Sequence, residues 1–131
     1  MEGMADMMTT IEEQRRAIET MKPDGTFDLN PDYKAILKLD KRLTEAGIPH
    51  LLDRANDGWI ILYPSYEHRV GDAIQHYYSY GAFHDLIEVF GFGLKNPDGF
   101  LDVDAAFDYF KKAHDKMLEK ERRRSAGKVQ R

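Results

Sequence analysis

The feature that most constrains this chain is the tripeptide Asn56-Asp57-Gly58, set between two short apolar runs at 51–55 and 59–63. Asn and Asp-Gly accept the positive φ values of a two-residue turn, so the pattern predicts a β-hairpin and commits the middle of the chain to antiparallel pairing. Val70, Ile74 and Tyr78 share a parity with Asp72 and His76, which predicts a third strand over 70–78. Tyr77 and Tyr78 then point to opposite faces of the sheet. Three strands in succession form a meander.

Helical spacing brackets that meander. Asn30-Pro31 is a start signal, because Asn accepts a free N–H while proline needs none, and Tyr33, Ile36, Leu37, Leu43 and Ala46 recur on one side until Gly47 supplies a left-handed stop. A helix over 31–46 follows. Thr10 and Glu13 read as a capping box that opens an earlier helix ending before Pro23, with Ile11, Ile18 and Met21 as a thin stripe. Phe83, Leu86, Ile87 and Phe90 predict a third helix, stopped by Gly91-Phe92-Gly93, and Asn96-Pro97-Asp98-Gly99 reads as a turn. Asp102 caps a fourth helix, whose Val103, Ala106, Phe107, Phe110, His114, Met117 and Leu118 lie on one side. The expected fold is α+β: a three-stranded antiparallel meander covered on one face by three to four helices, in the order α-α-β-β-β-α-α. Residues 1–9 form a loose N-terminus, 10–118 one domain, and 119–131 a basic helix end. Trp59, beside the hairpin turn, is expected in the core, where Trp→Ala costs about 3–5 kcal/mol.

Composition excludes several chemistries. No cysteine is present, so disulfides, thiolate zinc sites and cysteine nucleophiles are ruled out. No apolar run approaches the ~18 residues that span a bilayer, and no basic start precedes an apolar stretch, so the expected location is cytoplasmic, without a membrane partner. Charge is uneven. Residues 1–30 carry three basic and seven acidic side chains, residues 31–115 nine and fourteen, and residues 116–131 seven and two. An acidic body repels nucleic acid, which leaves the tail cations Lys116, Lys120, Arg122, Arg123, Arg124, Lys128 and Arg131 as the one electrostatic handle on a phosphate backbone.

Each candidate site has a plainer counterpart. His84 and Glu88 are four apart, a spacing that brings both to one metal on a helix, with His76 near in sequence, but three or four ligands are needed and base rates favour a solvated pair. Gly91-Phe92-Gly93 lacks the strand–turn–helix context of a phosphate loop. Pro23-Asp24-Gly25 with Asp28, and Pro97-Asp98-Gly99 with Asp102, lack the leading aspartate and bidentate glutamate of a calcium loop and read as turns. Ser65, Ser79 and Ser125 lack a nucleophile elbow. Tyr77, Tyr78 and Tyr80, with Asp85 and Glu88 following, form an aromatic and acidic cluster of the kind that protein interfaces concentrate.

The stretch 35–110 resembles a group of small accessory proteins of phages and mobile elements from anaerobic Gram-positive bacteria. The resemblance lies in Leu43-Thr44-Glu45-Ala46-Gly47-Ile48-Pro49, Asp57-Gly58-Trp59, Tyr63-Pro64, Ile74-Gln75-His76, Ser79-Tyr80-Gly81 and Leu86-Ile87-Glu88-Val89. It carries no functional residues over, but implies a small acidic protein that binds and blocks host machinery. The resulting expectation is a non-enzymatic protein-binding module without a cofactor. Its partner would be a host or phage protein, such as a nucleic-acid-handling defence enzyme, met through Tyr77, Tyr78, Tyr80, Asp85 and Glu88. The alternatives are a nucleic-acid-binding accessory protein that uses the C-terminal helix, and a small metal-dependent enzyme at His76, His84 and Glu88.

Overall fold

The computed structural model describes residues 33–129, with side chains as far as 126. The helix expected over 10–22 and the Asn30-Pro31 start signal lie outside the described residues. The described elements are α1 (Lys34–Glu45), β1 (Leu51–Ala55), β2 (Gly58–Tyr63), β3 (Gly71–Gln75), a 3₁₀ turn (Ala82–His84), β4 (Ile87–Gly91), β5 (Asp98–Leu101) and α2 (Val103–Val129). The strands form one antiparallel sheet in sequence order, β1-β2-β3-β4-β5.

This overturns the three-stranded meander and the α-α-β-β-β-α-α order: five strands lie between two described helices. The helix expected through 83–90 does not form. Gly81 (φ 94) and Asp85 (φ 54) are both left-handed and leave room only for the 3₁₀ turn, after which residues 87–91 pair with β3. Phe83, Leu86, Ile87 and Phe90 do fall at helical spacing, but Ile87 and Val89 also alternate with Glu88 and Phe90, and cross-strand pairing selects that second period. Gly91-Phe92-Gly93 is therefore a left-handed turn after a strand (φ 83, 52 and 82), not a helix stop. Asn96-Pro97-Asp98-Gly99 is not wholly a turn, since Asp98 and Gly99 open β5, whose pairing with β4 is shifted between Ile87 and Val89.

The hairpin forms with Asn56-Asp57 at its tip and Ala55 opposite Gly58. Positive φ falls on Asn56 (55°), and Gly58 serves another purpose: a Cβ there would stand 1.9 Å from the Gln75 carbonyl oxygen of the neighbouring strand. α1 ends as predicted. Gly47 (φ 70) donates to the Thr44 carbonyl and Ile48 to the Leu43 carbonyl, the paired bonds of a left-handed helix stop. Asp102 caps α2 by accepting from the Ala105 N–H at 2.8 Å.

Register assigns the faces. Ile61, Tyr63, Ala73, Ile87 and Val89 share one face and pack under Ile36, Leu39 and Leu43 of α1 and Ala106 and Phe110 of α2 in a single core cluster. Phe92 and Tyr63 extend it with ring contacts to Phe110 at 5.0 and 6.0 Å. Trp59 shares this parity but is only half-buried at its edge, where the Arg54 guanidinium lies 4.4 Å from its ring. The full cost expected for a buried indole does not apply. α2 packs on the body through its first half, and its residues 120–126 are all exposed. No described helix is long and apolar enough to cross a membrane.

Candidate binding surface

No described helix covers the other face of the sheet. Its residues lie in two rows across the strands: Leu51, Leu62, Asp72 and Phe90 in one, Asp53, Ile60, Ile74 and Glu88 in the other. Apolar side chains therefore make the floor, and each row contains acid. Leu62 is buried, Ile60 and Ile74 are half-buried, and Leu51 and Phe90 are 38% and 43% exposed. Among the described residues Arg69 offers the one cation that meets these acids, 2.8 Å from Asp72.

Tyrosines stand at both ends of the second row. At the β1 end the Tyr66 hydroxyl donates to Asp53. At the β4 end the Tyr80 backbone N–H donates to Glu88 Oε1 at 3.1 Å. Both rings remain open to solvent, at 60% and 48% exposure. A flat apolar floor, acids within it and a tyrosine at either rim suit the contact core of a protein interface, since the ring supplies area at low entropic cost.

The loop that presents Tyr77, Tyr78 and Tyr80 is held by a buried polar network that reaches α1. The N-cap of α1, Tyr33 (φ 28), makes no side-chain cap bond, so the free amides of the first turn take partners from elsewhere. Ile36 donates to Gln75 Oε1 and Ala35 to Asp85 Oδ1, both at 2.9 Å, and Gln75 Nε2 donates to the same Asp85 oxygen at 2.8 Å. Gln75 is fully buried, so this chain of bonds satisfies an amide that would otherwise cost free energy. Asp57, in the hairpin tip, accepts from the Tyr33 hydroxyl and from the Tyr77 N–H at 3.0 Å. Ser79 closes the turn on itself, donating to the His76 carbonyl and accepting from the His76 N–H. The Tyr78 N–H donates to His76 Nδ1 at 3.0 Å, so the imidazole must be neutral there. Gly99 lets Tyr80 lie against β5, where a Cβ would come 2.4 Å from that of Tyr80.

Burial shifts several ionisable groups here, among them the Tyr33 hydroxyl, which loss of water and the bond to Asp57 push up. His76 is pushed below its ordinary value by loss of water, opposed by Asp57. Glu88 is pushed up by burial, against the Tyr80 N–H bond and with help from Asp72. Asp72 is also pushed up by burial, although Arg69 pulls the other way.

The predicted partner residues separate in this frame. Tyr78 and Tyr80 are exposed, Tyr77 is half-buried with its ring edge-on to Tyr78 at 5.3 Å, Asp85 holds α1, and Glu88 is half-buried in the open face. Tyr77 and Tyr78 are not on opposite sheet faces, because β3 ends at Gln75 and both sit in the following turn. Leu51, Tyr66 and Phe90 were missed. Leu51 and Phe90 reach this face only through strand pairing, β4 being hidden in the sequence, and Tyr66 joins them from the loop between β2 and β3. His84 and Glu88 share no helix: His84 lies in the 3₁₀ turn with its ring 6.5 Å from Phe100, while Glu88 is in β4. Among the described residues no group of three or more histidines and carboxylates could hold a metal ion.

The tail cations are spread along the free end of α2. Glu119 takes both Arg122 and Arg123, while Lys116, Lys120 and Arg124 have no carboxylate partner among the described residues. Lys128 lies in α2 beyond the last described side chain. Compared with protein-family models, with curated proteins and with solved structures, the chain finds no match.

Proposed function

We propose that this chain is a non-enzymatic protein-binding module that presses the open face of its sheet onto a basic surface of another protein. The observation that carries the reading is the two-row floor with Tyr66 and Tyr80 at its ends. Exposed apolar area is concentrated there, and among the described residues Asp53, Asp72 and Glu88 outnumber the single cation Arg69. Such a face complements a positive patch, steering association and rejecting nucleic acid. A basic groove that normally receives a phosphate backbone is the surface such acids would imitate, a role open to a small acidic accessory protein of a mobile element.

The test is affinity capture on the immobilised full-length chain from a lysate of an anaerobic Gram-positive bacterium. Two variants run alongside: Tyr66→Ala with Tyr80→Ala at the rim, and Leu118→Ala, an equally exposed apolar residue on α2 (47%). A partner with a basic surface should be held by the parent chain and by Leu118→Ala, lost by the rim variant, and released by salt. A partner held equally by the rim variant, or no partner at all, would sink the reading.

A second reading rests on Lys116, Lys120 and Arg124, which have no carboxylate partner among the described residues and lie along the projecting end of α2, where they could grip a phosphate backbone. Removal of residues 119–131 should then abolish a salt-sensitive affinity for DNA or RNA. A full-length chain without such affinity at low salt ends it.

A further inference from the structure

Two described surfaces of this molecule carry opposite charge. The open sheet face holds Asp53 and Glu88 in one row and Asp72 in the next, with Arg69 the one cation among the described residues that meets them. The free end of α2 is the reverse: over residues 116–126 it carries Lys116, Lys120, Arg122, Arg123 and Arg124 against Glu119 and Glu121. Glu119 takes Arg122 and Arg123, while Lys116, Lys120 and Arg124 have no carboxylate partner among the described residues. Position on the helix matters as much as charge. Ala106 and Phe110 are buried, Ala113 and Met117 half-buried, and Lys120 and Arg124 exposed, and all recur at steps of three and four, so they form one stripe. The side that α2 turns toward its own sheet therefore continues beyond the body as Met117, Lys120 and Arg124.

We infer that the free end of α2 in one copy of the chain lies on the open sheet face of a second copy, and that the second copy returns the contact. The inference rests on the reading of that face as a seat for a basic surface, and it names this chain itself as the occupant. The helix end does not cover its own open face: α2 is one unbroken helix from Val103 to Val129, and Ala106 and Phe110 fasten its first half to the clad side. The dimensions agree. Lys116 to Arg124 spans about 12 Å at the rise of an α-helix. Asp53 on β1 to Glu88 on β4, in one row, spans about 14 Å across three strand spacings. Met117 gives the stripe an apolar member for the floor, and its thioether adapts to an uneven surface. A closed pair leaves neither patch exposed, because each copy contributes one helix end and one face. It also supplies the second cover that strands apolar on both faces call for. An outside basic partner then has to displace the helix end.

Sedimentation equilibrium of the full-length chain tests this. The chain should be dimeric at about 100 μM in low salt, and salt at about 1 M should weaken the dimer at least about tenfold. Lys120→Glu with Arg124→Glu, at two exposed helix positions that leave the core untouched, should weaken it at least about tenfold, and so should Asp53→Lys on the face. Mixed together, the helix variant and the face variant should dimerise again, because the acidic helix end then meets the substituted face and the native end meets a native face. Tyr66→Ala with Tyr80→Ala serves as a second face variant and should also weaken the dimer. A chain that stays monomeric at low salt, a dimer unmoved by the helix variant or by the tyrosine variant, or a mixture that stays monomeric would overturn the proposal. The result separates from the capture experiment. A monomeric chain that still holds a basic partner through Tyr66 and Tyr80 overturns self-docking alone, whereas a dimer restored by mixing, with no protein captured, keeps self-docking and removes only the outside partner.

Discussion

The two faces of the sheet come from the same strands and differ by one residue of register. On the helix-clad face Ile61, Ala73, Ile87 and Val89 are all fully buried. One residue away Ile60 and Ile74 are half-buried, Phe90 is open, and Asp72 and Glu88 are interspersed. Strands that are apolar on both faces belong to sheets covered on both sides, whereas a sheet with one solvated face normally alternates apolar with polar. This sheet has the composition of the first kind, and two described helices cover only one side. The excess apolar area on the open face has no role in the described core. That mismatch supports an interaction surface there.

The contrast can be broken most forcefully at Phe110 and Phe90. Phe110→Ala removes a fully buried ring that touches Tyr63 and Phe92 and should cost about 3–5 kcal/mol, whereas Phe90→Ala on the open face should cost less than about 1 kcal/mol. Equal shifts in the urea midpoint would show that the open face is packed as tightly as the core. Gln75→Leu comes next. It keeps the apolar volume but strands the Ile36 N–H, at a cost of about 1–3 kcal/mol, and it loosens Asp85 and with it the tyrosine loop. An unchanged midpoint would mean that α1 does not depend on this bridge. Trp59→Ala, at the exposed margin of the clad face, should cost about 1–2 kcal/mol because the ring is only half-buried. A loss as large as that for Phe110 would place the indole inside the core.

Protonation sharpens the same comparison with smaller effects. His76 is held neutral in the fold, with a pKa below its ordinary 6.5, so its contribution is fully present above 6.5 and is lost as the pH falls from there through the folded value. The Tyr78 amide resonance should move over that interval as Nδ1 ceases to accept, and a resonance that stays fixed would contradict the bond. Glu88 behaves oppositely. Its pKa is raised above the ordinary 4.5, so ionisation destabilises the fold at neutral pH, and that penalty fades as the pH falls through the folded value. Glu88→Gln should raise the melting temperature slightly at pH 7, keep an acceptor for the Tyr80 N–H, and flatten this part of the stability profile. A lower melting temperature at pH 7 would show that the charge is better solvated than its half-buried place implies.

Much of the scaffold was legible because it depends on neighbours in sequence. The stop of α1 at Gly47, the hairpin at Asn56-Asp57 and the cap at Asp102 each arise from side-chain or backbone bonds within a few residues. The stripe of α1 was legible only in part: Ile36 and Leu43 are buried as expected, but Leu37 and Ala46 are exposed and Ala35 and Leu39 take buried places instead. The misreading of 83–91 has a definite cause. Phe83, Leu86, Ile87 and Phe90 satisfy a helical period and Ile87 to Phe90 satisfy a strand period, and the deciding groups, the amides and carbonyls of β3, lie many residues away. β5 was hidden for a related reason. It has four residues, contains a glycine and a left-handed Phe100 (φ 56), and borders a shifted register, so its local signal is that of a turn. For the candidate surface, Tyr78, Tyr80 and Glu88 were visible as a cluster. Leu51, Tyr66 and Phe90 were not, since they meet only when β1 to β4 are laid side by side.

What the sequence determined by itself is therefore local: where turns must occur, where a helix must stop, which chemistries are missing and where the charge lies. Tertiary structure decided which of two periods residues 87–91 obey, which sheet face receives the helices, and how Gln75 and Asp85 replace the cap that α1 lacks. The physical reason is the range of the forces involved. Turn and cap energies are settled within a few residues, while strand pairing and burial depend on groups brought together only when the whole sheet closes.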